Sequence, residues 1–574
     1  MAVFTQNISR VIWEMKYRNA GQGGAAEMSL DETLRRVANA IAMAEKPEER
    51  AHWEQAFYRI LEGFRFLPGG RILAGTGTTH AVTLFNCFVM NIAEDSMTGI
   101  FDALREGALT LQQGGGIGYD FSVLRPAGTM AVQTGMPASG PVSFMQIWDA
   151  MCGVLLSTGA RRGAMMGVLA CDHPDIETFI DAKADAKLLR NFNVSVRVSD
   201  AFMRAVKDDS PWPLVFKGVV YRTVRARELW QKIIRHAYDY AEPGVLFGDT
   251  INRMNNLWYC ETINATNPCG EIPLPPYGAC DLGALNLTQF VTAPFTPQAA
   301  VNWTALEETA GIATRFLDNV ISVSRYPLPV QENMAKQTRR IGLGVTGLAD
   351  LLVMLGMRYG GPEAVALARD MMGRIAAVTW QTSIDLAREK GAFPLFEPDY
   401  MRGAFVQGLA ADLQQQLRLY GVRNSHHNTV APTGTISLLA NNVSNGIEPI
   451  FQASYLRKVK MPNGELVTHS VKDYAYQYYL ESHTGLPDAW VDTNDLLPAD
   501  HLAIQNAMQP YIDNAISKTI NLPADFPFDK LADVYTQAYA MGLKGCTIFR
   551  PNAITGSVLE SDKVDKPAPD RCCP

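Results

Sequence analysis

Residues 267–287, NPCGEIPLPPYGACDLGALNL, set an amide, a thiol and a carboxylate at alternating positions: Asn267, Cys269 and Glu271, with a second thiol at Cys280. Pro268 biases Asn267 toward extended backbone. Pro273, Pro275 and Pro276 exclude a helix downstream, and Gly270 lets the chain turn. In an extended loop, positions i, i+2 and i+4 face the same way, roughly 6.6 Å apart per step. The three groups can therefore converge on one ligand. They offer an amide to orient a hydroxyl, a sulfur, and a carboxylate able to act as a base. Taken alone, the spacing fits equally a proline-rich loop with a buried thiol and a surface glutamate.

These residues need a frame to hold them. With 574 residues, 47% hydrophobic and 19% charged, the chain suits one large α/β domain or a few smaller ones, and is not disordered. A net charge of −7 without dense Lys/Arg runs argues against a nucleic-acid scaffold or membrane-surface protein, though not against nucleotide ligands. The N-terminus lacks an apolar signal region, and the longest apolar run, residues 341–357, is too short and broken to span a bilayer. That run reads as a core helix entered through a Gly-rich turn. The expected location is cytoplasmic. Nine cysteines, an odd number with no zinc spacing, read as reduced thiols, mostly buried for Cys152, Cys171 and Cys260.

Residues 1–65 read as a helical region, with Ser29 and Glu32 as a capping box. From 66 to 552, β-like runs such as 191–199 alternate with helical ones. Residues 362–390 form a long predicted helix, with Pro362 at its start and Gly391 just past its end. The alternation predicts an α/β core with much parallel sheet. Residues 553–574 are polar and proline-containing, and read as a flexible tail.

Three motifs, two of them new, carry a resemblance. NPCGE, with LFNCFVM (84–90) and APTGTISLLANNVSNGIEPIF (431–451), resembles the catalytic subunit of ribonucleotide reductase, over most of the chain and in the family's order. The resemblance implies a ten-stranded α/β barrel whose central finger loop carries Cys269. It also implies residue roles. Cys269 matches the cysteine whose thiyl radical removes the ribose 3′ hydrogen, Glu271 the base for the 3′-hydroxyl proton, and Asn267 the amide on the substrate hydroxyls. Cys87 and Cys280 match the pair that delivers the reducing electrons and ends as a disulfide. Residues 432–437, with Pro432, Thr433, Gly434, Thr435, Ile436 and Ser437, resemble the substrate diphosphate cradle, while Asn86 and Gly115 fall in segments that match the substrate site. As chemistry, this turn offers hydroxyls and consecutive N–H groups at a helix start, which bind phosphate without a lysine; a plain capped helix start fits too. Asp95 and Ser96 resemble the effector-nucleotide site, Arg125 its phosphate-binding arginine, and Arg161 and Arg162 lie in a segment that resembles the mobile loop reporting the effector to the substrate site. The Gly-rich run 114–118 is weak as a dinucleotide fingerprint. His426 and His427 would suit a Cys–His hydrolase only if one met Cys269, and read as structural.

The radical source follows by resemblance and elimination. The class fed by a separate metal-radical subunit carries a tyrosine dyad late in the chain, where this sequence has Cys546 and Phe549. Tyr478 and Tyr479 read as a packed helix, and no glycyl-radical motif is seen. What remains resembles the adenosylcobalamin-dependent class. The implied partners are a ribonucleotide substrate, with a diphosphate favoured, dNTP or ATP effectors, a thioredoxin- or glutaredoxin-like reductant and a second copy in a homodimer. The ending DRCCP departs from the family's usual spaced pair. Adjacent Cys572 and Cys573 would close a strained ring, so either they shuttle electrons unusually or a separate C-terminal chain completes the enzyme. Two alternatives stand: the same reaction fed by a separate radical-generating subunit, or a non-catalytic nucleotide-binding regulator.

Overall fold

A computed structural model describes residues 4–21, 26–130, 135–157, 161–185, 187–460, 465–551 and 559–561. Three helices open it: α1 (Asn7–Lys16), α2 (Leu30–Ala42) and α3 (Arg50–Leu61). Ser29 accepts from the Glu32 N–H as expected, but the Glu32 carboxylate reaches the Met28 N–H and not Ser29, so the box is displaced by one residue. The helical region is tied to the remainder by a buried ion cluster. Arg315 donates to Glu45 from one side and to Glu389 from the other, and lies over the Trp53 ring at 4.0 Å.

Nine strands build the central sheet around the site: β1 (Cys87–Val89), β2 (Gly116–Asp120), β3 (Met165–Ala170), β4 (Phe192–Val198), β5 (Gly244–Phe247), β6 (Ala279–Asn286), β7 (Ile341–Thr346), β8 (Thr519–Asn521) and β9 (Gly545–Phe549). The first five run parallel in that order. β6 and β7 are parallel, as are β8 and β9. Extended residues 428–430 bridge the gap: Leu343 of β7 pairs with Asn428, and Val430 pairs with Ile516, just ahead of β8. The seams β5–β9 and β1–β6 are antiparallel. The result is a closed ring of two five-membered parallel halves set antiparallel to each other. This is the ten-stranded barrel that the resemblance implies. A further strand, Phe66–Pro68, pairs along β6 beyond β1.

Helices cover the outside. They include α4 (Met97–Gln112), α5 (Trp303–Val323) and α6 (Pro362–Lys390), with the short α7 (Gly434–Leu439) at the site. α6 has the predicted bounds. One prediction fails: residues 341–346 form a buried strand, not a turn. Its glycines serve close packing, since a Cβ on Gly344 would lie 2.0 Å from the Thr429 carbonyl oxygen. The tail prediction is modified as well, because Leu559–Ser561 pairs with Ser454–Lys460. Cys572 and Cys573 lie outside the described residues. Among the described residues no helix is long and apolar enough to cross a membrane.

Candidate active site

A small hairpin, Ala265–Thr266 paired with Pro273–Leu274, enters the barrel. Ile263, Ala265, Ile272 and Leu274 pack there against inward side chains of β1, β3, β5 and β6. Its tip, residues 267–271, is clamped by both halves. Asn193 of β4 donates to the Pro268 carbonyl, while the Ala515 N–H and the Thr429 hydroxyl donate to the Glu271 carbonyl. Gly270 takes φ +82, the left-handed turn that its residue type permits. The barrel wall must also thin to admit the hairpin, since a Cβ on Gly118 would meet the Thr266 carbonyl at 1.9 Å. Gly118→Ala is therefore expected to cost about 1–3 kcal/mol of stability, seen as a lower denaturation midpoint. An unchanged midpoint would mean that the hairpin is not wedged against β2.

At the tip, Cys269 is exposed and Asn267 and Glu271 are buried. Asn267 is fixed by bonds to its Oδ1 from the Ile272 N–H and the Thr266 hydroxyl, and its Nδ2 lies 3.1 Å from Cys87 Sγ. Burial pushes the Glu271 carboxyl up to about 7, with hydrogen bonding by Asn267 pulling the other way. Cys87 and Cys280 are directly opposed on the antiparallel β1–β6 pair and are both thiols. Opposed residues on such a pair have Cα atoms roughly 4.5–5.5 Å apart with side chains on one face, inside the range a disulfide spans. Burial, then the neighbouring Asp281 charge, hold the Cys280 thiol well above the usual thiol range.

Cys87, Cys269 and Glu271 line one cavity of about 720 Å³, within the roughly 300–1,000 Å³ of small-molecule sites. Asn86, Gly114 to Gly116 and Pro432 to Ile436 line it too. Two buried polar atoms there, Glu271 Oε2 and Asn86 Oδ1, have no hydrogen-bond partner among the described residues. Such atoms are costly unless a ligand or water meets them. The helix start expected at 433–437 exists, with Thr433 at φ +57 as the cap residue of α7. Its chemistry differs from the expectation in one respect. The Thr433 and Ser437 hydroxyls are spent on Thr346 and on each other at 2.9–3.0 Å. The donors left for an anion are the first N–H groups of α7 and the Thr435 side chain.

The other predicted residues lie elsewhere. Asp95 and Arg125 form an ion pair at 2.8 Å, Lys217 lies 4.0 Å from the same carboxylate, and Ser96 caps α4 through the Gly99 N–H. Arg161 and Arg162 form a two-residue strand against Leu156–Ser157, and their side chains fall outside the described set. The segment's other end, from Met165, is a buried barrel strand and not loop. His426 bonds to Asn255 and accepts from Arg340, and His427 bonds to Asp513 against the Trp380 ring, so both are structural. Sequence reasoning missed Lys16, Arg71 and Thr346. The first two line the cavity from the N-terminal third, and no local pattern links them to residue 269.

Known proteins resemble this chain over both its helical region and its barrel. The family model for the ribonucleotide reductase barrel domain matches residues 85–549, and that for the ribonucleotide reductase all-alpha domain matches residues 3–81. A "Vitamin B12-dependent ribonucleoside-diphosphate reductase" of Mycobacterium tuberculosis is 39% identical over 565 residues, covering 94% of this chain and 78% of the relative. A protein of the same name from Thermoplasma acidophilum is 35% identical, covering 92% and 68%. A "Vitamin B12-dependent ribonucleotide reductase" of Streptomyces clavuligerus is 27% identical, covering 85% and 59%. With a matching barrel model over most of its length and relatives at this identity, the chain belongs to the ribonucleotide reductase large-subunit family.

Proposed function

We propose that this protein is an enzyme that reduces ribonucleoside diphosphates to 2′-deoxyribonucleotides by radical chemistry dependent on adenosylcobalamin. The observation that carries the reading is one cavity holding an exposed thiol, a buried carboxyl and the edge of an opposed dithiol: Cys269, Glu271 and the Cys87–Cys280 pair. The balance requires those parts. The substrate loses its 2′-hydroxyl as water, and two electrons come from two thiols that join as a disulfide. Cys269, as thiyl, takes and returns the 3′ hydrogen. Glu271 accepts the 3′-hydroxyl proton, Asn267 orients the hydroxyls, and Asn86 and the wall at Gly115 border the nucleoside. The N–H groups of Gly434, Thr435 and Ile436 receive the diphosphate, with Pro432, Thr433 and Ser437 shaping the turn.

Adenosylcobalamin, when bound, supplies a carbon radical by homolysis of its cobalt–carbon bond. The residues present fit that role, because Cys269 is exposed within the cavity, where its sulfur can be reached by a radical formed beside it. The protein's task is then placement and exclusion of water. The relatives' printed names support both the cofactor and the diphosphate.

The finer partners belong to the same reading. Asp95, Ser96 and Arg125 mark a dNTP or ATP effector site, with Arg161 and Arg162 reporting to the substrate site. Met97, Phe101 and Leu109 leave an exposed apolar stripe on α4 beside the exposed Val154, a face suited to a second copy. A thioredoxin- or glutaredoxin-like protein restores the dithiol. The division into a helical region (1–65), a barrel (66–552) and a tail (553–574) is likewise proposed.

The test is deoxynucleotide formation from a ribonucleoside diphosphate with dithiothreitol, with and without adenosylcobalamin. Product only with cobalamin is expected. Product only with a separate radical-generating subunit overturns the cofactor assignment, and nucleotide binding with no product in either setting identifies a regulator.

A further inference from the structure

A second cavity lies at the base of the hairpin that carries Cys269. Ile263, just before the hairpin, and Pro273, on its returning strand, line it. The barrel supplies the rest. Ile251 and Asn255 follow β5, Lys544 immediately precedes β9, and His426, Asp513 and Asn514 come from the segments that the ring-closing bridges join. The cavity shares no residue with the substrate cavity, and every residue that lines it is buried. Its volume is about 10 Å³, close to the least that one water molecule requires.

Two buried side-chain atoms of these residues, Asn255 Nδ2 and Asn514 Oδ1, have no hydrogen-bond partner among the described residues. Each amide is fixed the right way round by its other end. Asn255 Oδ1 accepts from the Leu257 N–H and from His426 Nε2, both at 3.1 Å, and His426 Nδ1 accepts from Arg340, so the proton sits on Nε2. Asn514 Nδ2 donates to the Asn428 and Ile341 carbonyls at 3.1 and 3.3 Å. Turning either amide over would set donor against donor or acceptor against acceptor. The unmet pair is therefore one donor and one acceptor, and leaving either unmet costs about 1–3 kcal/mol.

Size and charge choose the ligand. An anion would face the Asn514 oxygen and the Asp513 carboxylate, and a cation would face the Lys544 ammonium, which donates to the Asp513 and Asn514 carbonyls. The two opposite charges leave the site near neutral. A neutral molecule of this size that accepts from one group and donates to another is water. We propose that this cavity binds one water molecule, which accepts from Asn255 Nδ2 and donates to Asn514 Oδ1, and that through it Asn255 and Asn514 are positioning residues for Glu271. The route is short. The Ala515 N–H, next in the chain to Asn514, donates to the Glu271 carbonyl at 3.0 Å, and Pro273 stands two residues past Glu271. The positioning role rests on the reading of Glu271 as the base, whereas the water site stands without it.

The test begins with a high-resolution crystal structure of the wild-type chain. A density peak about 2.7–3.2 Å from both amide atoms is expected. A map without that peak overturns the proposal, as does an ion at that place, revealed by anomalous scattering after soaking in bromide or rubidium. Two variants then test the role. Asn255→Leu removes the donor and fills the space. Asn255→Asp keeps both bonds that Oδ1 accepts and lets the water donate to the second oxygen. The water should be lost in the first and kept in the second. With adenosylcobalamin and dithiothreitol, kcat per diphosphate-binding site should fall about ten-fold or more in Asn255→Leu and largely return in Asn255→Asp, with KM within about two-fold of wild type. A merely structural loss would reduce the number of binding sites and leave the rate at each unchanged, and that result overturns the positioning role. Asn255→Ala takes the place of the leucine variant if the latter fails to fold. A wild-type chain that binds the diphosphate without reducing it overturns the proposed reaction, and the positioning role with it, while the density map still decides the water.

Discussion

Cys269→Ser is expected to abolish deoxynucleotide formation, a loss of more than about 10⁴-fold, as when the reactive group of a concerted catalytic unit is removed. The argument is chemical. A sulfur–hydrogen bond is weak enough to be broken by a carbon radical while the resulting thiyl can still take a hydrogen from the ribose carbon, whereas an oxygen–hydrogen bond is too strong to be broken by the same radical. The argument is also structural. Cys269 is exposed in the cavity at a tip held by the backbones of Pro268 and Glu271, so a substitution differing by one atom leaves the hairpin in place. Nucleotide affinity should therefore stay within about two-fold, the usual range for exposed positions. The variant separates the readings cleanly. Lost turnover with intact binding assigns the chemistry to the thiol. Retained turnover removes Cys269 from the reaction, and lost binding would mean that the residue shapes the cavity and does not act in it.

The sequence made Cys269 visible but not its surroundings. Residue types at 267, 269 and 271 announced chemistry because prolines and Gly270 barred a helix, leaving extended spacing. The α6 boundaries were legible because Pro362 and Gly391 punctuate them. Residues 341–346 misled because fully buried strands carry no alternation, and Gly342 and Gly344 resemble a turn until the atoms that pack against them are known. Barrel closure was illegible for another reason: it passes through bridges at Leu343–Asn428 and Val430–Ile516, each joining residues far apart in sequence. The hydroxyl network of Thr346, Thr433 and Ser437 is a similar case. Taken as a motif, PTGTIS offers free hydroxyls; the fold spends two of them on shaping the turn.

Glu271→Gln is expected to lower turnover by about 10²–10⁴-fold, the range for a lost general base, with diphosphate binding retained. The pH dependence tests the same residue independently. Burial raises its pKa to about 7, and the reaction uses the carboxylate, so the wild-type rate should climb as pH passes through that value. At pH 6 roughly a tenth of the chains carry the base, and at pH 8 roughly nine-tenths. Stability moves in the opposite sense. The folded-state pKa lies above the unfolded one, so folding binds a proton. The stability contributed by the neutral carboxyl is fully present below about pH 4.5 and is lost as pH rises through about 7, a loss on the order of 3 kcal/mol. Glutamine is neutral throughout and escapes that loss. Relative to wild type, Glu271→Gln should therefore gain stability between about pH 5 and 8 while it loses activity, measured as denaturation midpoints across that window. A flat difference would mean that Glu271 does not titrate there, and the base would have to be sought elsewhere. A gain in stability paired with a collapse in rate would identify Glu271 as a group kept under strain for function.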